Sequence, residues 1–164
     1  MSYKISKHYK LRLDGARLLA TMSPCPRGQV GAVIFNPDNY VIIADGYNGP
    51  PRKGGNLCGG DTCTRDCPSG TQIQTGCHHA EMNAICNAAR VGAKTLGMAI
   101  AITCEPCLLC AKLLHHAGIE LVIYVAKGYS GEGLEYLRGA GVELLKREDV
   151  SGDHRVQRGR AGSY

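Results

Sequence analysis

Two short motifs, far apart in the chain, carry side chains that suit a single metal ion. They read HAE at residues 79–81 and PCLLC at residues 106–110. One imidazole and two thiolates are ligands that Zn²⁺ prefers, and they leave a fourth position for water. If His79, Cys107 and Cys110 bind one ion, the segments that carry them must meet in the fold. This requirement constrains the fold more than any other feature of the sequence.

Glu81 follows His79 by two residues and is predicted to act on protons rather than to bind the metal. A carboxylate there can take a proton from metal-bound water and return it. The two cysteines taken alone also suit a redox pair or a structural zinc site, and His79 alone suits a core histidine. A structural site needs a fourth protein ligand, and a redox pair needs no histidine motif. The combination therefore favours a catalytic centre.

The hydrophobic pattern predicts strands that alternate with helices. We expect helices at residues 6–22, 79–91, 107–117 and 133–138, and strands at residues 30–35, 40–47, 98–103, 121–125 and 142–145. This order predicts an α/β fold of three layers: a five-stranded mixed sheet, largely parallel with one antiparallel hairpin, and helices on both faces. Both metal motifs begin predicted helices, where the positive end of the helix dipole favours thiolate.

The length of 164 residues favours a single domain, predicted at residues 1–146, with a loose basic tail at residues 147–164. Residues 48–78 are rich in Gly and Cys and show no periodicity, which is unusual for a loop unless something holds it. No leading apolar segment and no membrane-length run is visible, so a soluble, cytoplasmic protein is expected. The nine cysteines are an odd number and cluster with histidines, which favours metal binding over disulfides.

The charge and the aromatic content favour a small ligand over a polynucleotide. A net charge of +5 suits nucleic acid or a small phosphorylated molecule equally well. Proteins that grip single strands stack bases on aromatic side chains. This chain has one Phe, no Trp and eight scattered Tyr. We therefore expect a nucleotide substrate, and neither nucleic acid nor membrane as a partner.

Four segments together are typical of one enzyme family: CPRGQVGAVI at 25–34, GYNGPP at 46–51, HAEMNAI at 79–85 and EPCLLCAK at 105–112. With them the sequence resembles the deoxycytidylate (dCMP) deaminases of the cytidine-deaminase-like superfamily. The zinc motif belongs to the whole superfamily, whereas the GYNGxP segment narrows the resemblance to dCMP deaminases. The resemblance implies hydrolysis of dCMP to dUMP and ammonia. It also implies a homohexamer, activated by dCTP with Mg²⁺ and inhibited by dTTP.

The resemblance also implies roles for residues outside the metal motifs. Asn48 would contact the 3′-hydroxyl of the sugar, and Arg27 would bind the phosphate, with Ser23 and Tyr129 as further candidates. The implied effector site comprises Gly46, Tyr47, Gly49, Arg52, Lys53 and Arg90, of which Arg90 matches a position at a subunit interface. Two alternatives remain open. Residues 46–51 form a simple tight turn with Asn48 in a left-handed conformation, and the charged side chains of Arg52, Lys53 and Arg90 face solvent without binding a ligand.

Some members of the family carry a second, structural zinc ion, and the resemblance extends to its ligands. The implied set is Cys25, Cys58, Cys77 and Cys67, with Cys63 or His78 as alternatives for the fourth ligand. Such a site would explain an ordered 48–78 loop; the alternative is that several of these are free buried thiols. Cys86 and Cys104 are predicted to be small core residues, and His115 and His116 to be surface or interface groups.

Two other functions compete with this one. Another cytidine-deaminase-like enzyme, acting on tRNA adenosine or on free nucleosides or bases, would share the zinc centre and the mechanism. A zinc-stabilised, nucleotide-binding protein without activity would leave Glu81 without a purpose.

Overall fold

The computed structural model describes residues 7–50, 77–125 and 129–147. These residues form four helices and five strands. The helices are α1 (Lys7–Ala20), α2 (Ala80–Arg90), α3 (Leu108–His116) and α4 (Glu132–Gly139), and the strands are β1 (Gly31–Phe35), β2 (Ile42–Tyr47), β3 (Ala99–Ile102), β4 (Leu121–Val125) and β5 (Glu143–Arg147). Every predicted element is present, with its ends within two residues of the predicted ones.

The five strands form one mixed sheet in the order β2-β1-β3-β4-β5. Strand β1 is antiparallel to both of its neighbours, β2 and β3, whereas β3, β4 and β5 are parallel. The predicted hairpin of β1 and β2 is confirmed. In this hairpin β1 lies inside the sheet and β2 lies at its edge. As a result, β1 is antiparallel to the other four strands, which all point in one direction.

Successive residues along the central strands face opposite sides of the sheet, and both sides are covered. On one side Ile34, Ile100 and Val122 pack with residues of α2, α3 and α4. On the other side Phe35 and Ile123 pack with Leu13 of α1. The predicted three-layer architecture is therefore confirmed, and its strands read as continuous apolar runs because both of their faces are buried.

Two expectations about individual residues are wrong, and two others are confirmed. Arg147, assigned from the sequence to the tail, is the buried last residue of β5. Cys86 is exposed rather than in the core, because Ala80, Ala84 and Ala88 form the buried face of α2. The core position of Cys104 and the exposure of His115 and His116 are confirmed.

Other expectations concern segments that the structure does not describe. Most of the 48–78 loop and the tail beyond Arg147 lie outside the described residues. Within the described part of the chain, the longest helix has 14 residues. None of the described helices is both long enough and apolar enough to cross a membrane.

Candidate active site

The first metal motif lies at the start of α2. His79 is the N-cap residue, with an extended backbone (φ −73°, ψ 156°), and the helix begins at Ala80. The helix lies directly on β2, because a Cβ at Gly46 would be 2.6 Å from the carbonyl oxygen of Ala80 and 2.5 Å from the amide nitrogen of Ala84. Only glycine permits this approach. The start of α2 is thereby held at the carboxyl end of β2.

The second metal motif begins α3 with a cysteine in the N-cap position. Cys107 has φ −67° and ψ 165°, and its Sγ accepts a hydrogen bond from the backbone N–H of Cys110 at 3.5 Å. The sulfur thus occupies the position in which Ser or Asp usually caps a helix. The spacing of Cys107 and Cys110 therefore brings both sulfurs to the same helix end.

The two helix ends meet, and their side chains form one donor group. The Nδ1 atom of His79 lies 3.5 Å from Sγ of Cys107 and 3.4 Å from Sγ of Cys110. All three donor atoms lie within 4.8 Å of one another, and they form the only group of three or more possible metal ligands among the described residues. Tetrahedral zinc, with Zn–S of about 2.3 Å and Zn–N of about 2.0 Å, requires N···S distances of about 3.5 Å. The donor group therefore fits zinc.

The two cysteines have opposite pKa shifts because they share a proton in the absence of metal. A hydrogen bond from the Cys110 thiol, reinforced by His79 and the Cys110 backbone N–H, lowers the pKa of Cys107 to about 4. The same hydrogen bond, together with burial and the charge of Glu81, raises the pKa of Cys110. One thiolate is therefore already present at neutral pH, and a bound cation replaces the remaining proton.

Glu81 lies in the first turn of α2 and is 2% exposed. Burial is the main cause that raises the pKa of its carboxyl group, and the Cys107 thiolate raises it further, against the lowering effect of His79. The Cys110 side chain is a smaller influence that lowers the pKa of Glu81. Glu81 is absent from the three-residue donor group. A buried carboxyl with a raised pKa, beside metal ligands, is suited to both accepting and returning a proton.

Asn48 is a buried link between the end of β2 and the segment before β1. Its Oδ1 accepts a hydrogen bond from the N–H of Val30 at 2.8 Å, and its Nδ2 donates to the carbonyl oxygen of Gly28 at 2.9 Å. The alternative with a left-handed Asn48 is wrong, because Tyr40 is the one described non-glycine residue with positive φ. Asn48 therefore has a definite structural role beside any role in binding.

Three contacts that the sequence did not suggest connect residues 45–49 to residues 78–87. Gly49 and His78 exchange backbone hydrogen bonds of 3.1 and 2.8 Å. The Nδ2 atom of Asn83 donates to the carbonyl oxygen of Tyr47 at 2.8 Å. One turn further along α2, Asn87 donates in the same way to Asp45 at 2.8 Å. The available signal was the spacing of His79, Asn83 and Asn87, which places them on one helix face.

The three candidates for phosphate binding lie in different environments. Ser23 is buried, and its Oγ accepts a hydrogen bond from the N–H of Cys25 at 3.2 Å. Arg27 is exposed in the segment that Asn48 holds. The ring of Tyr129 lies 6.5 Å from the ring of His79. Tyr129 therefore stands at the metal centre, whereas the roles of Ser23 and Arg27 remain predictions.

The residues implied for an effector site fall into two groups. Gly46 and Gly49 are buried and Tyr47 is exposed, all beside the start of α2. Arg90 is exposed at the far end of this 11-residue helix, about 15 Å away at 1.5 Å per residue. Arg52 and Lys53 lie outside the described residues. The effector roles of all of them remain predictions.

Two of the cysteines implied as structural zinc ligands are chain neighbours of residues that contact Gly49. Cys25 follows Pro24, whose Cδ is 3.6 Å from the Cβ position of Gly49. Cys77 precedes His78, which is bonded to Gly49. Both cysteines are partly buried. Cys58, Cys63 and Cys67 lie outside the described residues, so the second zinc site remains a prediction.

The fold and the donor group define a zinc-binding α/β domain, and comparison with known proteins identifies its class. The family profile described as "Cytidine and deoxycytidylate deaminase zinc-binding region" matches residues 6–126. The chain belongs to this family.

Individual relatives agree with the family. Human deoxycytidylate deaminase is 39% identical over 118 residues, which cover 70% of this chain and 62% of that protein. ComE operon protein 2 of Bacillus subtilis is 39% identical over 112 residues, covering 66% of this chain and 54% of that protein. The chain thus spans between one half and two thirds of the length of these two relatives. The deoxycytidylate deaminase of Enterobacteria phage T4 is 31% identical and matches over 81% of this chain and 86% of its own.

A solved structure agrees with the fold as well. The dCMP deaminase of cyanophage S-TIM5, in complex with dCMP and dUMP, superposes with a TM-score of 0.71 at 28% identity. The match covers 90% of this chain and 99% of that one. The predicted family and fold class are therefore confirmed.

Proposed function

We propose that this protein hydrolyses dCMP to dUMP and ammonia at a zinc centre made by His79, Cys107 and Cys110. The observation that carries the proposal is a buried Glu81 carboxyl group beside the donors. A purely structural zinc site has no use for this group. The relatives named as deoxycytidylate deaminases support the choice of reaction.

The chemistry assigns one task to the metal and another to Glu81. Zinc, when bound, lowers the pKa of a coordinated water to about 7. Glu81 accepts a proton from the water that adds to the amino-bearing carbon of cytosine. It delivers this proton to the neighbouring ring nitrogen. It then takes the proton of the hydroxyl group that now stands on the carbon and gives it to the amino group, which leaves as ammonia while the hydroxyl becomes the carbonyl of dUMP. Because its site is buried, the carboxyl group exchanges protons with the reactants in preference to bulk water.

The surroundings of the metal centre support the predicted substrate contacts. We propose that Asn48 binds the 3′-hydroxyl of the sugar: an amide has two N–H groups and two acceptor positions, and the bonds to Val30 and Gly28 use one of each. Tyr129 is proposed to contact the substrate beside His79. Arg27 is proposed to bind the phosphate, with Ser23 shaping the turn that carries it.

The proposal includes regulation and assembly, which the family resemblance supports. We propose activation by dCTP with Mg²⁺ and inhibition by dTTP, through an effector site of Gly46, Tyr47, Gly49, Arg52, Lys53 and Arg90, in a homohexamer. We also propose a second zinc ion bound by Cys25, Cys58, Cys67 and Cys77. The backbone bonds between Gly49 and His78 support a path from bound effector to metal centre.

One assay distinguishes this function from its competitors. Ammonia release by the zinc-loaded chain is measured with dCMP, cytidine, dCTP and an adenosine-containing RNA as substrates. We expect release chiefly from dCMP. A preference for cytidine or RNA would identify another branch of the superfamily, and no release from any of them would favour a binding protein. Adding dCTP or dTTP to the dCMP assay tests regulation, and an unchanged rate with both would contradict it.

A further inference from the structure

The first turn of α4 touches the backbone that carries the metal ligand Cys107. A Cβ placed on Gly133 would lie 2.1 Å from the carbonyl oxygen of Pro106, and 3.0 Å from both the carbonyl carbon and the carbonyl oxygen of Cys107. All three nearest atoms are therefore backbone atoms of these two residues. Since an ordinary carbon–oxygen contact is well above 3 Å, a side chain here requires a displacement of about 1 Å.

The touched backbone determines where the sulfur of Cys107 lies. Cys107 is the N-cap of α3, and its carbonyl oxygen accepts the first helical hydrogen bond, from the N–H of Ala111 at 2.8 Å. Its Sγ lies 3.5 Å from Nδ1 of His79. Metal–ligand distances tolerate only about 0.2 Å. A displacement of the 106–107 peptide by more than this moves a ligand out of place.

Helix α4 cannot easily move away to make room. Leu134 and Leu137 are buried in the core cluster that also contains Leu114 of α3 and Leu144 of β5. Tyr129, beside His79, comes shortly before the same helix. A methyl group on Gly133 therefore strains a contact between two anchored elements, and the peptide at the metal centre is one of them.

We infer that Gly133 is a positioning residue for the zinc centre: its missing side chain lets α4 hold Cys107 in place as a ligand. Gly133 lies beyond residues 6–126, the part that the family profile matches. Glycine is a weaker helix former than alanine, and the close contact with Cys107 explains why glycine nevertheless suits this position. The inference concerns zinc binding and does not depend on which substrate the enzyme takes.

A second glycine of α4 provides a matched control. Gly139 is the last residue of the helix, and a Cβ placed on it would meet nothing within 4 Å. It does not have positive φ. Alanine at Gly139 therefore makes the same chemical change in the same helix, without touching the metal centre.

The test compares the full-length wild type with Gly133→Ala and Gly139→Ala. Zinc affinity is measured by competition with a chromophoric chelator, and ligand geometry by the absorption spectrum of bound Co²⁺. Circular dichroism verifies folding. We expect zinc affinity to fall by about 10- to 100-fold in Gly133→Ala, with an altered Co²⁺ spectrum, and to remain unchanged in Gly139→Ala. Wild-type affinity and an unchanged spectrum in folded Gly133→Ala would overturn the inference.

A measurement on the wild type covers the case in which Gly133→Ala does not fold. If α4 holds Cys107, zinc binding must stabilise α4 in return, because coupling between sites is reciprocal. Hydrogen exchange is measured with and without zinc for two sets of amides. The first is the amide of Glu135 in α4, which donates to the carbonyl oxygen of Gly131, and the second is the amides of α1. We expect zinc to protect α4 more than α1. Equal protection, or none in α4, would overturn the inference.

Discussion

Gly49 and His78 exchange two backbone hydrogen bonds, His78 N–H to Gly49 at 2.8 Å and Gly49 N–H to His78 at 3.1 Å. This pair joins the residue after Asn48 to the residue before His79. The proposed sugar contact and the first metal ligand are thereby linked through a few backbone atoms.

The two asparagines on α2 provide a test of the link. Asn83→Ala and Asn87→Ala each remove one side-chain bond to a β2 carbonyl, that of Tyr47 and that of Asp45, respectively. Each is expected to lower the free energy of unfolding by about 1 kcal/mol. Only Asn83 bonds Tyr47, the residue next to Asn48, so only Asn83→Ala is expected to raise the KM for dCMP. Steady-state kinetics and urea unfolding measure the two effects, and equal KM values for both variants would contradict the prediction.

Asn48→Ala is expected to affect both stability and sugar recognition. It leaves the N–H of Val30 and the carbonyl of Gly28 without their side-chain partner, which costs about 1–3 kcal/mol. If the amide also binds the 3′-hydroxyl, the wild type prefers dCMP over its 2′,3′-dideoxy analogue and the variant loses this preference. Values of kcat/KM for the two substrates measure it. A preference that survives in folded Asn48→Ala would limit Asn48 to its structural role.

Glu81→Gln is expected to abolish turnover while the metal stays bound. The amide keeps the shape of the side chain but transfers no proton, so kcat should fall by about 10²- to 10⁴-fold. Zinc content and dCMP affinity should remain close to those of the wild type, because Glu81 is outside the donor group. Glu135→Gln, an exposed change in the first turn of α4, is the control. Normal kcat in Glu81→Gln would refute the proposed mechanism.

Removal of zinc should reveal the unusual acidity of Cys107. Its pKa is lowered to about 4, against about 8.5 for an ordinary cysteine. Metal-free protein should therefore contain this thiolate above about pH 4 and lose it as the pH falls through that value. Thiolate ultraviolet absorbance, measured as the difference between wild type and Cys107→Ser, follows the titration. Cys86→Ser, which removes an exposed thiol, should change nothing in this range. A midpoint of the difference near 8.5 would contradict the prediction.

The zinc content of the purified chain tests the second metal site. With both sites filled, we expect about two zinc ions per chain, and about one in Cys77→Ser, where the closed site loses a ligand. Cys86→Ser should retain both ions, because Cys86 is an exposed residue of α2. Atomic emission measurements after gel filtration give the ratio. One ion per chain in the wild type would exclude the structural site.

The sequence predicted the fold to within two residues at each element because apolar runs, glycines and prolines act locally. It also predicted the donor group, because the spacing of Cys107 and Cys110 and the position of His79 follow from helix starts. The core position predicted for Cys86 and the tail position predicted for Arg147 are wrong. Whether a residue late in a helix or strand is buried depends on which neighbours cover it.

The chemistry of the metal centre follows from local sequence: an imidazole and two cysteines that can bind zinc, and a carboxyl group two residues beyond the imidazole. The packing of the helices and strands establishes that Nδ1 of His79 faces the sulfurs, that Asn48 holds Gly28 and Val30, and that Gly133 lies against Cys107. These contacts join residues far apart in the chain, and their distances depend on how closely helices approach the sheet and one another. Local sequence patterns do not determine these distances.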